Sequence, residues 1–364
     1  LVVLLRCSPR CRFSILALIV CLIAFMWVTT LVRNENIRNG FFHTFAFATA
    51  FICRSAIGFK DFTHCYKKVI KFLCCVSLVA FIIYLLIPQL NGFMVVNNKA
   101  GGSFSNLIIY VNSSKITRNM GMFWEPGAFQ TFISIALILE LLDERPNAKN
   151  IIIFSVCIMT TFSTTGYLSL ALAFLIGMLN GKNSDKKTRT IIVVCAVVAL
   201  LVIYINSDFF FSTSKSSVFG KISTFFDRDY GNSQRVTSAS VRYNAIFKAI
   251  EAFFKSPIYG WGYSGLKELL YKYTHGMNTC TFVNWFAVYG LLFGVIMTVG
   301  YIKLSLIIAK NKFQKLMILI FFFVTMMSED YVNNSFIIIL ALYGYGGSET
   351  TFVKNLRTVK YENS

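Results

Sequence analysis

The sequence is poor in charge. Only 14% of its 364 residues are Asp, Glu, Lys or Arg, whereas 56% are hydrophobic. That is too little polar surface to cover a water-soluble globule. Acid is scarcer than base, with 16 Asp and Glu against 35 Lys and Arg. Histidine is rare, and Cys7 and Cys11 have no second Cys/His pair to complete a zinc site. Nearly all ten cysteines fall in or beside apolar runs, with only Cys280 near an external loop, which argues against a disulfide framework. Internal repeats and low-complexity tracts are absent from the sequence.

What the chain has instead is long apolar runs. Phe13 to Val32, Ile70 to Pro88, Ile191 to Ile205 and Phe282 to Tyr301 approach or reach the roughly 17–25 apolar residues that cross a bilayer. An amphipathic core helix would not be apolar all round. Arg6, Arg10 and Arg12 precede the first run, as in an uncleaved signal anchor, but no small-residue cleavage pattern follows, so it reads as a true helix. The chain opens on Leu1 rather than Met, the pattern of an unusual start codon or of a chain with a further hairpin ahead of it.

The net charge of +19 would suggest a nucleic-acid partner in a soluble protein. Here the Lys and Arg residues sit in short loops between spans, which is a topogenic signal, and no nucleic acid is expected. Spans fall at about 13–32, 41–57, 70–88, 127–142, 150–164, 166–181, 190–206, 282–303, 313–328 and 333–347. Lys60, Lys67 and Lys68, Arg145 and Lys149, Lys186 and Lys187, Lys310 to Lys315, and Lys354 to Lys360 mark cytoplasmic loops, while the loop at Glu329-Asp330 has no basic residue. Both flanks of 150–180 are basic, so the chain must turn near Ser163-Thr-Thr-Gly166. A polar turn at that depth needs protein or a cavity around it. The expected fold is an all-α membrane protein of about ten transmembrane helices with both termini cytoplasmic, forming one polytopic domain over 1–364. Two larger extracytoplasmic loops, 89–126 and 207–281, have room for chemistry.

The first loop ends in Arg118-Asn-Met-Gly121-Met-Phe123-Trp124-Glu125-Pro126-Gly127. An arginine and a carboxylate at the membrane boundary can hold a phosphate and orient a hydroxyl. The plainer reading is a snorkelling Arg, an interfacial Trp and a Pro-Gly helix start. In the second loop, apolar residues at 241, 245, 246, 249, 250, 253 and 254 describe an amphipathic helix capped by Ser238 or Ser240, with Arg242 in its first turn and Pro257 beyond its end. Free backbone N–H groups there also favour an anion. Alternatively, that arginine faces lipid headgroups.

Next comes Pro257-Ile-Tyr-Gly260-Trp261-Gly262-Tyr263, whose aromatics could stack on sugar and whose glycines would let backbone approach a ligand, or which is simply a turn. His275 and Asn284 stand at the rim of the eighth span as candidate substrate contacts. Asp227-Arg228-Asp229 matches a D-x-D by a spacing that arises easily by chance, so no metal is expected. His43 and Arg54 are costly in lipid and should face the bundle interior, unless Arg54 snorkels.

The order of these pieces resembles the O-antigen polymerase and O-antigen ligase superfamily of bacterial envelope glycosyltransferases. The matching parts are Arg118-x-x-Gly121-x-Phe123-x-Glu125-Pro126-Gly127, the Ser163 to Gly166 turn, Arg242 leading a helix into Pro257-Ile-Tyr-Gly260-Trp-Gly262, and Gly290-Leu-Leu-Phe-Gly294. They lie in residues 115–300. The ligases place a His-Asn pair about ten residues before the last element, where this chain has Thr279-Cys280 with His275 upstream. That departure favours a polymerase.

The resemblance implies a GT-C-like transferase in the bacterial inner membrane, acting without cofactor or metal. It also implies an undecaprenyl-pyrophosphate-linked oligosaccharide as donor and another as acceptor, and a chain-length regulator among its partners besides membrane lipid. Arg118 and Arg242 would hold the pyrophosphate and Glu125 would orient or deprotonate the acceptor hydroxyl. Trp124, Trp261, Tyr263, His275 and Asn284 would contact substrate. An O-antigen ligase is the alternative. A lipid-linked oligosaccharide flippase is a third reading, although a transporter should concentrate its charges within the spans.

Overall fold

The computed structural model describes residues 13–87, 89, 95–97, 103–106, 110–112, 118–143, 145–179, 190–198, 238–274 and 279–346. His275, the Asp227 to Asp229 triplet, the second half of the span at 190–206, and the basic residues before 13 and after 346 lie outside the described residues.

The described chain is mostly helical. In order it forms α1 (Phe13–Val32), α2 (Ile37–Ala56) and α3 (Phe59–Leu86), then β1 (Val95–Asn97), β2 (Ser103–Asn106), β3 (Tyr110–Asn112) and β4 (Arg118–Asn119). Helices α4 (Pro126–Leu141), α5 (Ala148–Thr160) and α6 (Thr164–Met178) follow, with α7 at 190–198. The chain continues through α8 (Ser238–Lys255), α9 (Tyr263–Thr274), α10 (Thr281–Tyr289), α11 (Leu291–Ile308), α12 (Lys312–Thr325) and α13 (Ser335–Gly344).

Among the described residues, α1 over Ser14–Val32, α3 and α11 are long and apolar enough to cross a bilayer, and α4, α5, α6 and α13 are shorter apolar helices. The protein is thus an integral membrane protein. The expected turn is present, since α5 ends at Thr160 and α6 starts at Thr164, with Phe162 between them at φ 47.

Two expectations change. In the stretch 89–126, where an all-α fold was expected, β1 to β4 form a four-stranded antiparallel meander, in register through Val96↔Phe104, Ser105↔Val111 and Asn112↔Arg118. The fold is therefore not purely α. The span expected over 282–303 is also broken, because Gly290, at φ 86 and ψ −176, separates α10 from α11.

The chain divides into two compact units. One comprises residues 1–61, 244–319 and 330–364. In it α11 crosses α13 at backbone contact: a Cβ on Gly344 would lie 1.9 Å from Gly300 O, and one on Gly300 would lie 2.7 Å from Ala341 O. Small residues at a crossing let helices approach where lipid supplies no hydrophobic drive. His43 on α2 is buried in the same unit. Asn333 Nδ2 lies 2.6 Å from His43 Nε2, so Nδ1–H of the neutral ring donates to Tyr289 Oη, which donates in turn to Asn333 Oδ1 at 3.2 Å. Arg54 is likewise buried, with its guanidinium over the Tyr343 ring. Both costly side chains face the interior.

The other unit comprises residues 62–243 and 320–329. Its centre is α4, buried along its whole length and packed on α5 and α6. Lys67 on α3 pairs with Glu140 at 3.2 Å and also with Asp143. Glu140 further accepts from Asn147 N at 2.6 Å and Asn150 Nδ2 at 3.2 Å, so a buried carboxylate is fully partnered. At the opposite end of α4, Gln130 and Thr131 bond to Thr165 and Ser328, forming a polar floor.

Candidate functional site

Above that floor, the segment from Arg118 to Gly127 is held by its own sequence. Asn119 is buried and donates to Ser77 Oγ at 3.2 Å and Thr160 Oγ1 at 3.0 Å, while its Oδ1 accepts from Gly121 N. Gly121 has φ +55, and a Cβ there would meet the Phe129 ring at 2.8 Å. Phe123 stacks on Phe129 and Phe132. The backbone thereby reaches Glu125, the N-cap of α4, with Pro126 at the first helical position, where its missing N–H costs nothing.

Arg118 is half-buried. Its Nε donates to Thr161 O and its Nη2 to Phe162 O, both at 2.9 Å. These carbonyls belong to the break between α5 and α6, so the guanidinium caps the negative end of α5 while keeping N–H groups to spare. Its pKa is lowered to about 10, by burial first and then by the charge of Arg242, with Glu125 and Tyr167 opposing the shift. It stays charged at neutral pH.

Arg242 thus stands close enough to Arg118 for the two to repel. Because α8 begins at Ser238, Arg242 lies on the second turn, not the first. Its charge at the site comes from the guanidinium and not from free backbone N–H groups.

Glu125 is exposed and makes no side-chain cap bond to its helix. Its carboxyl instead meets that of Glu329. Trp124 Nε1 donates to Glu329 Oε2 at 3.4 Å. Burial, then the charge and hydrogen bond of Glu125, hold the Glu329 carboxyl well above the ordinary carboxylate range, while Arg242 and Trp124 pull the other way. Part of Glu329 is open to solvent, but its carboxyl oxygens are enclosed by these groups. Sequence reasoning marked Glu329 only as an external loop residue. The signal for more was a carboxylate directly at the end of an apolar run.

Arg118, Glu125 and Arg242, chosen from sequence, therefore come together with Trp124 in one unit, with Glu329 added. They can hold an anion between two guanidinium groups and present a carboxylate beside it.

The remaining candidates lie in the other unit. Trp261 is pinned, its Nε1 donating to Ala252 O at 2.7 Å and its ring lying under Arg33. The glycines beside it approach the protein's own backbone: Trp261 N donates to Ala287 O and Gly262 N to Val288 O, both at 2.9 Å, and Leu291 N to Pro257 O at 2.7 Å. This loop satisfies groups freed by the break at Gly290, so the glycine approach to ligand expected from sequence is replaced by an approach to α10. Tyr263, with Asn39, Ser264, Lys267 and Tyr271, lines a cavity of about 630 Å³. Asp330 raises the pKa of the Tyr263 hydroxyl, with burial adding to the effect. The Asp330 carboxyl is itself raised by burial, against the pull of Val332 N, Asn284 and Lys267. Asn284 is wholly buried, and neither its Oδ1 nor its Nδ2 makes a hydrogen bond of normal geometry, although it stands beside Asp330. Among the described residues no cluster of three or more His, Cys, Asp or Glu side chains could hold a metal ion.

Residues 150–290 match the family model described as O-antigen ligase (Wzy_C). The matched stretch includes the Ser163 turn, Arg242, the Gly260 to Gly262 loop and Asn284, and it agrees with the superfamily resemblance read from sequence. Arg118, Glu125 and Glu329 lie outside it. No curated protein matches the chain.

Proposed function

We propose that the protein is a surface-polysaccharide polymerase of the bacterial cytoplasmic membrane. On the outer face it transfers the glycan of one undecaprenyl-pyrophosphate-linked repeat to the non-reducing end of another, without a metal. The observation that supports this most is the pairing of Arg118 and Arg242 beside an exposed carboxylate. Two guanidinium groups that repel each other are relieved by an anion between them, and the leaving pyrophosphate is such an anion.

In the reaction the acceptor hydroxyl loses its proton to Glu125 and its oxygen bonds to the donor's anomeric carbon. The bond from that carbon to the pyrophosphate oxygen breaks, and the electron pair leaves on the pyrophosphate, where Arg118 and Arg242 meet the growing charge. The donor is already activated, so positioning and charge stabilisation supply most of the acceleration. Trp124, exposed beside Glu125 in the same unit, is the proposed sugar contact.

The description of the matching family favours a second reading, transfer of a finished glycan to a lipid acceptor. Complementation separates the two. In a polymerase-null strain the chain restores a ladder of surface polysaccharide, and in a ligase-null strain it does not. Arg118→Ala and Arg242→Ala each abolish the ladder, and Lys at either position restores it only in part, because the bidentate fork is lost. Full-length ladders from both alanine variants would sink the pyrophosphate clamp.

A further inference from the structure

We infer that Glu329 is a positioning residue for Glu125: the two carboxyl groups act as one proton sink, taking the acceptor's proton and holding it between them above the first turn of α4. This rests on the proposal that Glu125 meets the acceptor hydroxyl.

The geometry is built for a pair. Glu329 Oε1 lies over Gly127, where a Cβ would come within 3.2 Å of it, so the carboxyl rests directly on the first turn of α4. Its other oxygen takes the Trp124 indole N–H. The preceding residue is fixed from below, Ser328 Oγ lying 2.9 Å from Thr131 Oγ1 and 3.3 Å from Gly127 O. Glu125 has extended backbone, φ −149 and ψ 152, and leaves its own helix uncapped, which frees its carboxylate to meet Glu329. Facing the pair are Arg242 from α8 and, through Glu125 and Arg242, Arg118 from β4. Tyr167 on α6 stands behind Arg118.

A lone exposed glutamate has a pKa of about 4.3, which makes it a weak base at neutral pH. Two carboxylates that must share a proton lose the second one at a much higher pH. The doubly ionised pair, its charge balanced by the two arginines, is therefore the stronger base. When the acceptor O–H breaks, its proton enters the pair, leaving one negative charge. The new bond forms from the acceptor oxygen to the anomeric carbon, and the electron pair of the broken bond departs on the pyrophosphate. Water then takes the proton and resets the pair.

Two measurements on the full-length protein test this. The first is the pH profile of in vitro repeat-unit transfer by wild type and Glu329→Gln. Wild-type kcat rises with pH through the second ionisation of the pair. Glu329→Gln leaves Glu125 with a neutral neighbour, so its limb moves down by about one pH unit or more and its plateau falls about tenfold or more. The second needs no turnover: carbodiimide adds to protonated carboxyl groups, and the adduct at Glu329 is quantified by mass spectrometry across pH. In Glu125→Gln the midpoint of that labelling moves to lower pH, because the like charge is gone.

A Glu329→Gln profile with an unmoved limb, or a labelling midpoint that ignores Glu125, overturns the inference. Full activity of Glu125→Ala would overturn the underlying proposal instead, leaving the labelling result to report on the pair alone.

Discussion

Arg118 carries two duties that mutagenesis will show together. It closes two helix-end carbonyls of the α5–α6 break, Thr161 O and Phe162 O, and it contributes charge to the site. Arg118→Ala should therefore cost about 1–3 kcal/mol of stability for the orphaned carbonyls as well as activity. Arg242→Ala should likewise cost activity, and thermal melting in detergent beside transfer rates separates lost stability from lost chemistry at each position. At Glu329 the sign of the pH effect follows from a carboxyl pKa raised in the folded state. The native protein binds this proton more tightly than the unfolded chain, so the stabilisation is full below the ordinary carboxyl range and is lost as pH rises through the folded value. Melting temperatures of wild type should fall from about pH 4 toward neutral more steeply than those of Glu329→Gln.

Among the elements, the two breaks at α5–α6 and α10–α11 are the informative features. Basic residues on both flanks led to the expectation of the first, and the helix does end at Thr160 before the next starts at Thr164. The second sat inside an apolar run, where hydropathy cannot distinguish one helix from two. Its mark is Gly290, where a Cβ would lie 2.0 Å from Ile258 O. Gly290→Ala should destabilise by about 1–3 kcal/mol for the backbone strain alone and release the Gly260 to Gly262 loop. Gly265, with open space around its Cβ position, is the control: Gly265→Ala should stay within about 0.5 kcal/mol. The meander escaped sequence reading because Val95–Asn97, Ser103–Asn106 and Tyr110–Asn112 are too short to show a period-2 pattern. Glu329 escaped because its partners, Trp124 and Glu125, are about two hundred residues away in the chain, and no local pattern reports such a contact.

For the whole molecule, composition gave the membrane environment, and charge supplies a proposed order of loops. The proposed sidedness can be checked in a variant lacking native cysteines. A cysteine placed at Glu268 should react with an impermeant maleimide in intact cells, whereas one at Lys312 should react only after permeabilisation. The central claim is that this membrane protein lengthens a glycan, using two arginines and a carboxylate without a metal. The most direct test supplies purified protein in detergent or liposomes with a defined undecaprenyl-pyrophosphate-linked repeat unit, with chelator present. The account predicts a ladder of lipid-linked oligomers that disappears in Arg242→Ala. Translocation of the labelled repeat without lengthening, or transfer only to a different lipid acceptor, would contradict it.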